Sequence, residues 1–171
     1  RALTSLKRFG ERLRGMPVDA VRAVGTNTLR VAKNSDGFLR KAQKALGFPI
    51  EVVAGHEEAR LIYLGVAHGL PLRRDRRLVV DIGGGSTECI IGRGFQPVRV
   101  ESLYMGCVGF SQRYFPDGKL SAKAFKEAEL AAATELETIV HDFTPDDWRD
   151  AIGSSGTARA IAEVLESAHP N

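Results

Sequence analysis

Apolar and polar positions alternate along this chain with two different periods. Leu3, Leu6, Phe9 and Leu13 recur every three or four residues, which predicts an amphipathic helix over residues 1–14 with basic side chains on its other face. Gly15-Met16-Pro17 stops it. Residues 21–24 read as a strand, Gly25-Thr26-Asn27 as a turn and cap, and residues 28–33 as a short helix. A further helix is predicted over residues 36–46, with Asp36 near its cap and Gly47 at its end. Residues 50–53 then read as a strand, Gly55 breaks it, and residues 56–68 are helical. Strand followed by helix, twice over, is an α/β rhythm.

Pro71 and the run Arg73-Arg74-Asp75-Arg76-Arg77 mark residues 70–77 as a solvated loop and the clearest boundary. Beyond it, strands are expected near 77–82, 87–92 and 96–104, joined by glycine-rich turns. Gly106 and Gly109 flank Cys107 and lead into a helix ending near Phe115. Ser121 caps a long helix to about His141, with Phe125, Ala128, Leu136 and Ile139 as inward candidates. After the loop Thr144-Pro145-Asp146-Asp147, a short strand ends at Ala151-Ile152. Residues 153–157 turn, and residues 157–167 form the last helix.

Composition narrows the picture. A chain of 171 residues, 43% hydrophobic, suits one domain or two small lobes with a real core. Its formal charge of +3 favours anionic ligands. No basic block has aromatics interleaved for base stacking, so specific nucleic-acid binding is not indicated. Cys89 and Cys107 form no CxxC pair and read as reduced, buried or half-buried thiols of a cytosolic protein. His56, His68, His141 and His169 show no metal spacing. No apolar run is long enough to span a membrane, and no signal-peptide pattern opens the chain. Helical sequence begins at Arg1, and the chain reads as a piece of a longer protein.

The candidate chemistry centres on Asp81-Ile82-Gly83-Gly84-Gly85-Ser86-Thr87-Glu88. An apolar run precedes it and Cys89-Ile90-Ile91 follows, so the segment sits on a hairpin. A P-loop would need Gly-Lys-Ser/Thr, and a dinucleotide fingerprint would need a helix where a strand follows. Consecutive glycines let backbone N–H groups approach an anion, and Ser86 and Thr87 add hydroxyls. Asp81 and Glu88 add carboxylates able to hold a divalent cation directly or through water. Phosphate donors beside metal-binding acids are the equipment of phosphoryl chemistry. A second anion candidate, Gly153-Ser154-Ser155-Gly156-Thr157, stands between a strand and a helix start, where backbone amides and the helix dipole favour negative charge. Read alone, it is a Ser/Thr cap on an ordinary helix; beside residues 81–88, the anion site becomes the preferred reading. Glu57 and Glu58 open the 56–68 helix, and since neighbours on a helix point about 100° apart, only one can face a cleft. A glutamate so placed could deprotonate a water. Arg30 is either a surface arginine or a bidentate phosphate clamp.

Together, AVGTNTLRVAKN (23–34), IEVVAGHEEARLIYLGV (50–66), LVVDIGGGSTECIIG (78–92), VESLYMGCVGF (100–110) and GSSGTARAIAEVL (153–165) resemble the exopolyphosphatase / guanosine pentaphosphate phosphohydrolase family. DIGGGSTE alone would indicate only the wider actin-like ATPase and sugar-kinase superfamily. The resemblance implies an α/β, actin-like (ribonuclease H-like) ATPase fold, present in part: residues 1–61 as the end of lobe I and residues 62–171 as most of lobe II. It implies magnesium-dependent hydrolysis of the terminal phosphoanhydride of inorganic polyphosphate, guanosine pentaphosphate or both. It makes Glu58 the base for the attacking water and Asp81 and Glu88 the metal-associated acids. Gly83, Gly84, Gly85, Ser86 and Thr87 become one phosphate loop, and Gly153, Ser154, Ser155, Gly156 and Thr157 another. Arg30 becomes a ligand of the phosphate chain. It also implies a cytoplasmic protein, a homodimer at full length. The family's DxGSNS-like first phosphate loop has no match here, so the site is expected to be incomplete in this fragment, whose own activity the sequence leaves open. Two other readings stay open: a non-catalytic alarmone- or polyphosphate-binding regulatory module, and an actin-like kinase or ATPase, which an added phosphoryl acceptor would reveal.

Overall fold

Gly10 decides how the first two long helices meet. It lies on α1 (Ala2–Arg12), where a Cβ would fall 2.3 Å from the carbonyl oxygen of Leu46, the last residue of α3 (Ser35–Leu46). Only glycine allows this approach. The stripe against the unit is therefore Leu3, Leu6, Gly10 and Leu13, all partly buried. Phe9, expected on that face, is 56% exposed, because the helix turns its glycine inward instead.

The computed structural model describes residues 1–169, and the chain divides into two compact units, residues 1–54 and residues 55 onward. In the first, β1 (Ala23–Gly25) pairs in parallel with β2 (Ile50–Val52), Ala23 opposite Ile50 and Gly25 opposite Val52. The strand begins later than the expected residue 21 because residues 18–20 close a single 3₁₀ turn after Pro17. Between the strands run α2 (Asn27–Val31) and α3, which Gly47 ends at φ 80°, donating its N–H to Gln43. Ala42, Leu46, Phe48 and Val53 are buried.

The second unit is built on a sheet ordered β5-β4-β3-β6. Its strands are β3 (Arg77–Ile82), β4 (Thr87–Arg93), β5 (Gln96–Leu103) and β6 (Asp150–Ser154). β3–β4 and β4–β5 are antiparallel, and β3–β6 is parallel. One rung runs across all four strands as Ile152, Val79, Ile90 and Val100. Helix α4 (Gly55–Gly69) lies on that face, packing Ala59, Tyr63 and Ala67, with Ile62 and Val66, against it. Val79 and Ile90 are fully buried, and each contributes about 1.5–3 kcal/mol by leaving water. Gly92 makes room for the Tyr63 ring, whose hydroxyl donates to the Gly94 carbonyl at 3.0 Å. The segment 70–76 is the connection from α4 to β3 within this unit, and no helix of the described residues is long and apolar enough to cross a membrane.

On the other face, Cys89, Leu103 and Ile139 gather Val80, Met105 and Phe143 around them. Helix α5 (Cys107–Tyr114) leads to α6 (Ala122–Glu137), capped by Ser121, whose Oγ accepts from the Ala124 amide. Helix α6 ends at Glu137, not near His141. Three β-branched residues, Thr138-Ile139-Val140, follow, the Thr138 hydroxyl donates back to the Glu135 carbonyl at 2.7 Å, and the backbone tightens into i→i+3 bonds. Ile139 is buried as expected, but Phe125 and Leu136 are 51% and 41% exposed. Cys107 is exposed as well, correcting the expectation of two covered thiols; its place at the start of α5 faces it outward. Strand β6 continues through Gly153 and Ser154, which pair with Val80 and Asp81, so the expected turn shrinks to Ser155 before α7 (Gly156–Ala168).

At the end of the sheet away from the glycine hairpin, arginines and aspartates clasp the strands together. Arg77 binds Asp150 at 3.0 Å, and Arg99 binds Asp147, which also accepts from the Thr144 hydroxyl and amide. Arg77, expected in a solvated loop, has only 11% of its side chain exposed. The Arg99 bond, then the Thr144 hydroxyl, hold the Asp147 carboxyl down at about 2. A carboxyl depressed in the folded state stabilises above its ordinary pKa of about 3.9, and that contribution fades as pH falls toward 2. The urea midpoints of the protein and of an Arg99→Gln variant should therefore differ near neutrality and converge between about pH 4 and pH 2. A gap independent of pH would contradict the assignment.

Candidate active site

One step along the sheet from the apolar rung, on the same face, the side chains turn polar. Ser154, Asp81, Glu88 and Ser102 stand opposite one another on β6, β3, β4 and β5. The two acids are the central pair. Ser154 hydrogen-bonds Asp81, and the Ser102 hydroxyl donates to Glu88 Oε1 at 3.0 Å. Ser86 also bonds the Glu88 carboxylate. Glu88 is 1% exposed, while Asp81 is partly buried.

Two carboxylates opposite each other on adjacent strands, one buried and one partly so, disfavour joint ionisation. The Asp81 carboxyl is pushed above its ordinary range first by burial and then by the charge of Glu58, against the Ser154 bond. The Glu88 carboxyl is raised by burial, against its bonds to Ser86 and Ser102, with the charges of Glu58 and Asp81 adding to the rise. Glu58, in the first turn of α4, is thus electrostatically coupled to both. Its neighbour Glu57 is held elsewhere, by Arg60 through two bonds of 2.7 and 2.8 Å. The structure therefore separates the two glutamates that the sequence left paired.

Between the acids, Gly83, Gly84, Gly85 and Ser86 close the hairpin, with the Gly83 amide donating to the Ser86 carbonyl at 2.9 Å. The start of α5 sits behind this loop. The Cys107 amide donates to the Gly83 carbonyl, and the Val108 and Gly109 amides to that of Gly84, at 2.9–3.0 Å. The first amides of α5 are thereby satisfied by the loop. Among the described residues all peptides are trans, so each carbonyl points opposite to the next residue's N–H. The Gly84 and Gly85 amides consequently face away from α5. Gly106 presses on the Gly84–Gly85 peptide so closely that a Cβ would lie 2.4 Å from the Gly85 nitrogen. Thr87, 4% exposed, spends its hydroxyl proton on the Met105 carbonyl at 2.7 Å and braces the loop from below.

The second candidate loop starts α7 beside β6. Gly153 lets the helix close on the strand, since a Cβ there would lie 2.8 Å from Ala158 Cβ. Ser155 caps the helix, its Oγ accepting from the Ala158 amide at 3.1 Å. Its φ of 141° and ψ of 167° belong to a region that only glycine occupies at ease. The cap uses the third amide, leaving those of Gly156 and Thr157 as helix-start donors without partners in the helix. The Thr157 hydroxyl lies 3.5 Å from Cys107 Sγ, so the starts of α5 and α7 meet near the hairpin. Arg30 belongs to the first unit, where it donates to the Val53 carbonyl at 2.9 Å.

Ser102 and Gly106 escaped the sequence reading as site residues. Counting outward from the hairpin, with Asp81 opposite Glu88, gives the first register. The second depends on a bulge between Ile91 and Gly92 that no local pattern announces.

The profile of the Ppx/GppA phosphatase family matches residues 1–171, and the chain belongs to that family, whose structural class is the actin-like ATPase fold. A Haemophilus influenzae protein provisionally named an exopolyphosphatase is 44% identical over 165 residues, covering 96% of this chain and 51% of that protein. The Aquifex aeolicus PPX-GPPA enzyme is 29% identical with a TM-score of 0.73, covering 99% of this chain and 55% of its own. A Cytophaga hutchinsonii exopolyphosphatase is 28% identical with a TM-score of 0.76, covering 98% and 54%. The chain thus spans about half the length of these relatives and corresponds to part of a larger structure.

Proposed function

We propose that this chain carries half of the active site of a magnesium-dependent hydrolase that removes the terminal phosphate of inorganic polyphosphate, guanosine pentaphosphate or both. The observation that carries the reading is the coupling of three carboxylates, Glu58, Asp81 and Glu88, beside a loop whose amides face outward. Among the described residues no group of three or more His, Cys, Asp or Glu side chains is arranged to hold a metal by itself. Magnesium does not require one. It takes one or two carboxylates and completes its shell with water and substrate phosphates. Asp81 and Glu88 supply two hard oxygen donors, and their raised pKa values are the cost that a cation would relieve. These residues fit the ion, which when bound would neutralise charge on the phosphoryl oxygens.

The protein groups divide the remaining work. Glu58 accepts a proton from the attacking water. The Gly84 and Gly85 amides, with those of Gly156 and Thr157, donate to phosphoryl oxygens. Ser86 and Thr87 hold the hairpin, Gly83 allows its turn to close, Gly153 lets α7 pack on β6, and Ser154 and Ser155 fix Asp81 and the start of α7. Arg30 pairs with the phosphate chain. In this reading residues 1–61 end one actin-like lobe and residues 62–171 build most of the other; the two compact units support a division into two, with their own boundary between Ala54 and Gly55. A cytoplasmic location and a homodimeric full-length protein rest on the family alone. The test is phosphate release by the full-length protein from polyphosphate and from guanosine pentaphosphate, with magnesium and with a chelator. Release from at least one, abolished by the chelator, is expected. Binding of both without release would make this a sensor and overturn the reading.

A further inference from the structure

Ser102 is the one member of the polar rung that belongs to neither glycine-rich segment. It stands on β5, directly opposite Glu88, and its hydroxyl donates to Glu88 Oε1 at 3.0 Å. Its counterpart across the rung is Ser154, which bonds Asp81 from the outer side of the acid pair. The two acids are neighbours, and each is held on its outer flank by a serine from the next strand.

Glutamate has three side-chain torsions, so a carboxylate on β4 is not aimed by its backbone alone. Glu88 is 1% exposed, so bulk solvent does not set its orientation. Its orientation is set by the hydroxyls that reach it. Ser86 lies in the loop where the substrate phosphate is proposed to sit. Ser102 lies in a strand whose residues from Arg99 to Leu103 pair without a break with β4. A strand-borne partner is the more rigid support.

We propose that Ser102 is a positioning residue: it fixes the Glu88 carboxylate so that, with Asp81, it presents oxygen to the divalent cation. This rests on the function proposed above. An outer partner of a metal-binding carboxylate commonly changes metal affinity by about 10–100-fold. A serine that merely satisfied a buried carboxylate would change stability and leave affinity for the ion unmoved.

The test is direct Mn2+ binding to the full-length protein, followed by electron paramagnetic resonance without substrate, in the protein and in Ser102→Ala and Ser102→Thr. Ser102→Ala should weaken Mn2+ binding by about tenfold or more, and Ser102→Thr, which restores the hydroxyl, should return most of it. In phosphate release, Ser102→Ala should raise the magnesium needed for half-maximal rate and leave the substrate KM at saturating magnesium unchanged. Unaltered Mn2+ affinity in Ser102→Ala, equal weakening in both variants, or no saturable Mn2+ binding by the unsubstituted protein would each overturn the inference. Since the binding arm uses no substrate, a protein that binds Mn2+ as expected and hydrolyses neither phosphoanhydride would defeat the proposed function and leave the role of Ser102 standing.

Discussion

Replacing Glu58 with glutamine should lower phosphate release by the full-length protein by about 10²–10⁴-fold, the usual contribution of a positioned general base. That corresponds to about 3–5 kcal/mol of barrier. Glutamine keeps the size of the side chain and cannot accept the proton of an attacking water. Substrate affinity should persist, because the proposed phosphate contacts are backbone amides and Arg30 rather than Glu58. Glu57 provides the control on the same helical turn. Its carboxylate is bound by Arg60 at two points, and Glu57→Gln should keep most of the turnover. Single-turnover phosphate release and equilibrium binding for both variants check this. Unchanged release in Glu58→Gln, or a larger loss in Glu57→Gln, would remove Glu58 from the role of base.

Glu88→Gln should make the protein more stable and nearly inactive. Glu88 is the third-largest fully buried side chain, after Ile90 and Ile91, and its carboxyl is raised by burial and by the neighbouring acids. The sign follows from linkage. With a folded pKa above the unfolded value of about 4.3, the residue is neutral in both states at low pH and costs nothing there. As pH rises through the unfolded and then the raised folded value, ionisation favours the unfolded chain and stability falls. Glutamine never ionises, so it escapes that loss. Without metal, a gain of about 0.5–2 kcal/mol at neutral pH is expected, the usual return from relieving a functional strain. For a protein of this size or larger that is a rise in Tm of a few degrees. The gap should close in acid. The activity lost should at least match the 10–100-fold typical of removing an outer partner of a metal ligand, about the least a direct ligand would cost. Thermal unfolding with chelator at neutral and acid pH, beside phosphate release, reads both halves. A variant less stable than the parent at neutral pH would show that the buried carboxylate is satisfied, contrary to its raised pKa.

The hairpin was legible because its information is local. Apolar runs on either side of Gly83-Gly84-Gly85 fix two strands and their turn, and the register placing Asp81 against Glu88 follows. The start of α4 was legible for the same reason, but which of Glu57 and Glu58 faces the acids depends on how the helix lies on the sheet. That is decided by Ala59 and Tyr63 packing on Val79 and Ile90. Ser102 was hidden by the bulge at Ile91/Gly92, and Gly106 by a contact with a loop some twenty residues earlier. The end of α6 was misplaced because apolar periodicity continues past Glu137, while the β-branched residues there favour a tighter backbone. Phe125 and Leu136 fit the helical period, which says where a stripe could face and not what covers it.

Gly106 also bears on timing. The loop it presses on is tied by three amides of α5 and closed by its own Gly83–Ser86 bond. Triple glycine in water is among the most mobile stretches a chain can contain, and ordering it on demand would subtract from every encounter with a ligand. Here that entropy is surrendered once, when the polypeptide folds. On the function proposed above, an arriving phosphate would meet donors already in place, leaving its binding energy available for the reaction itself.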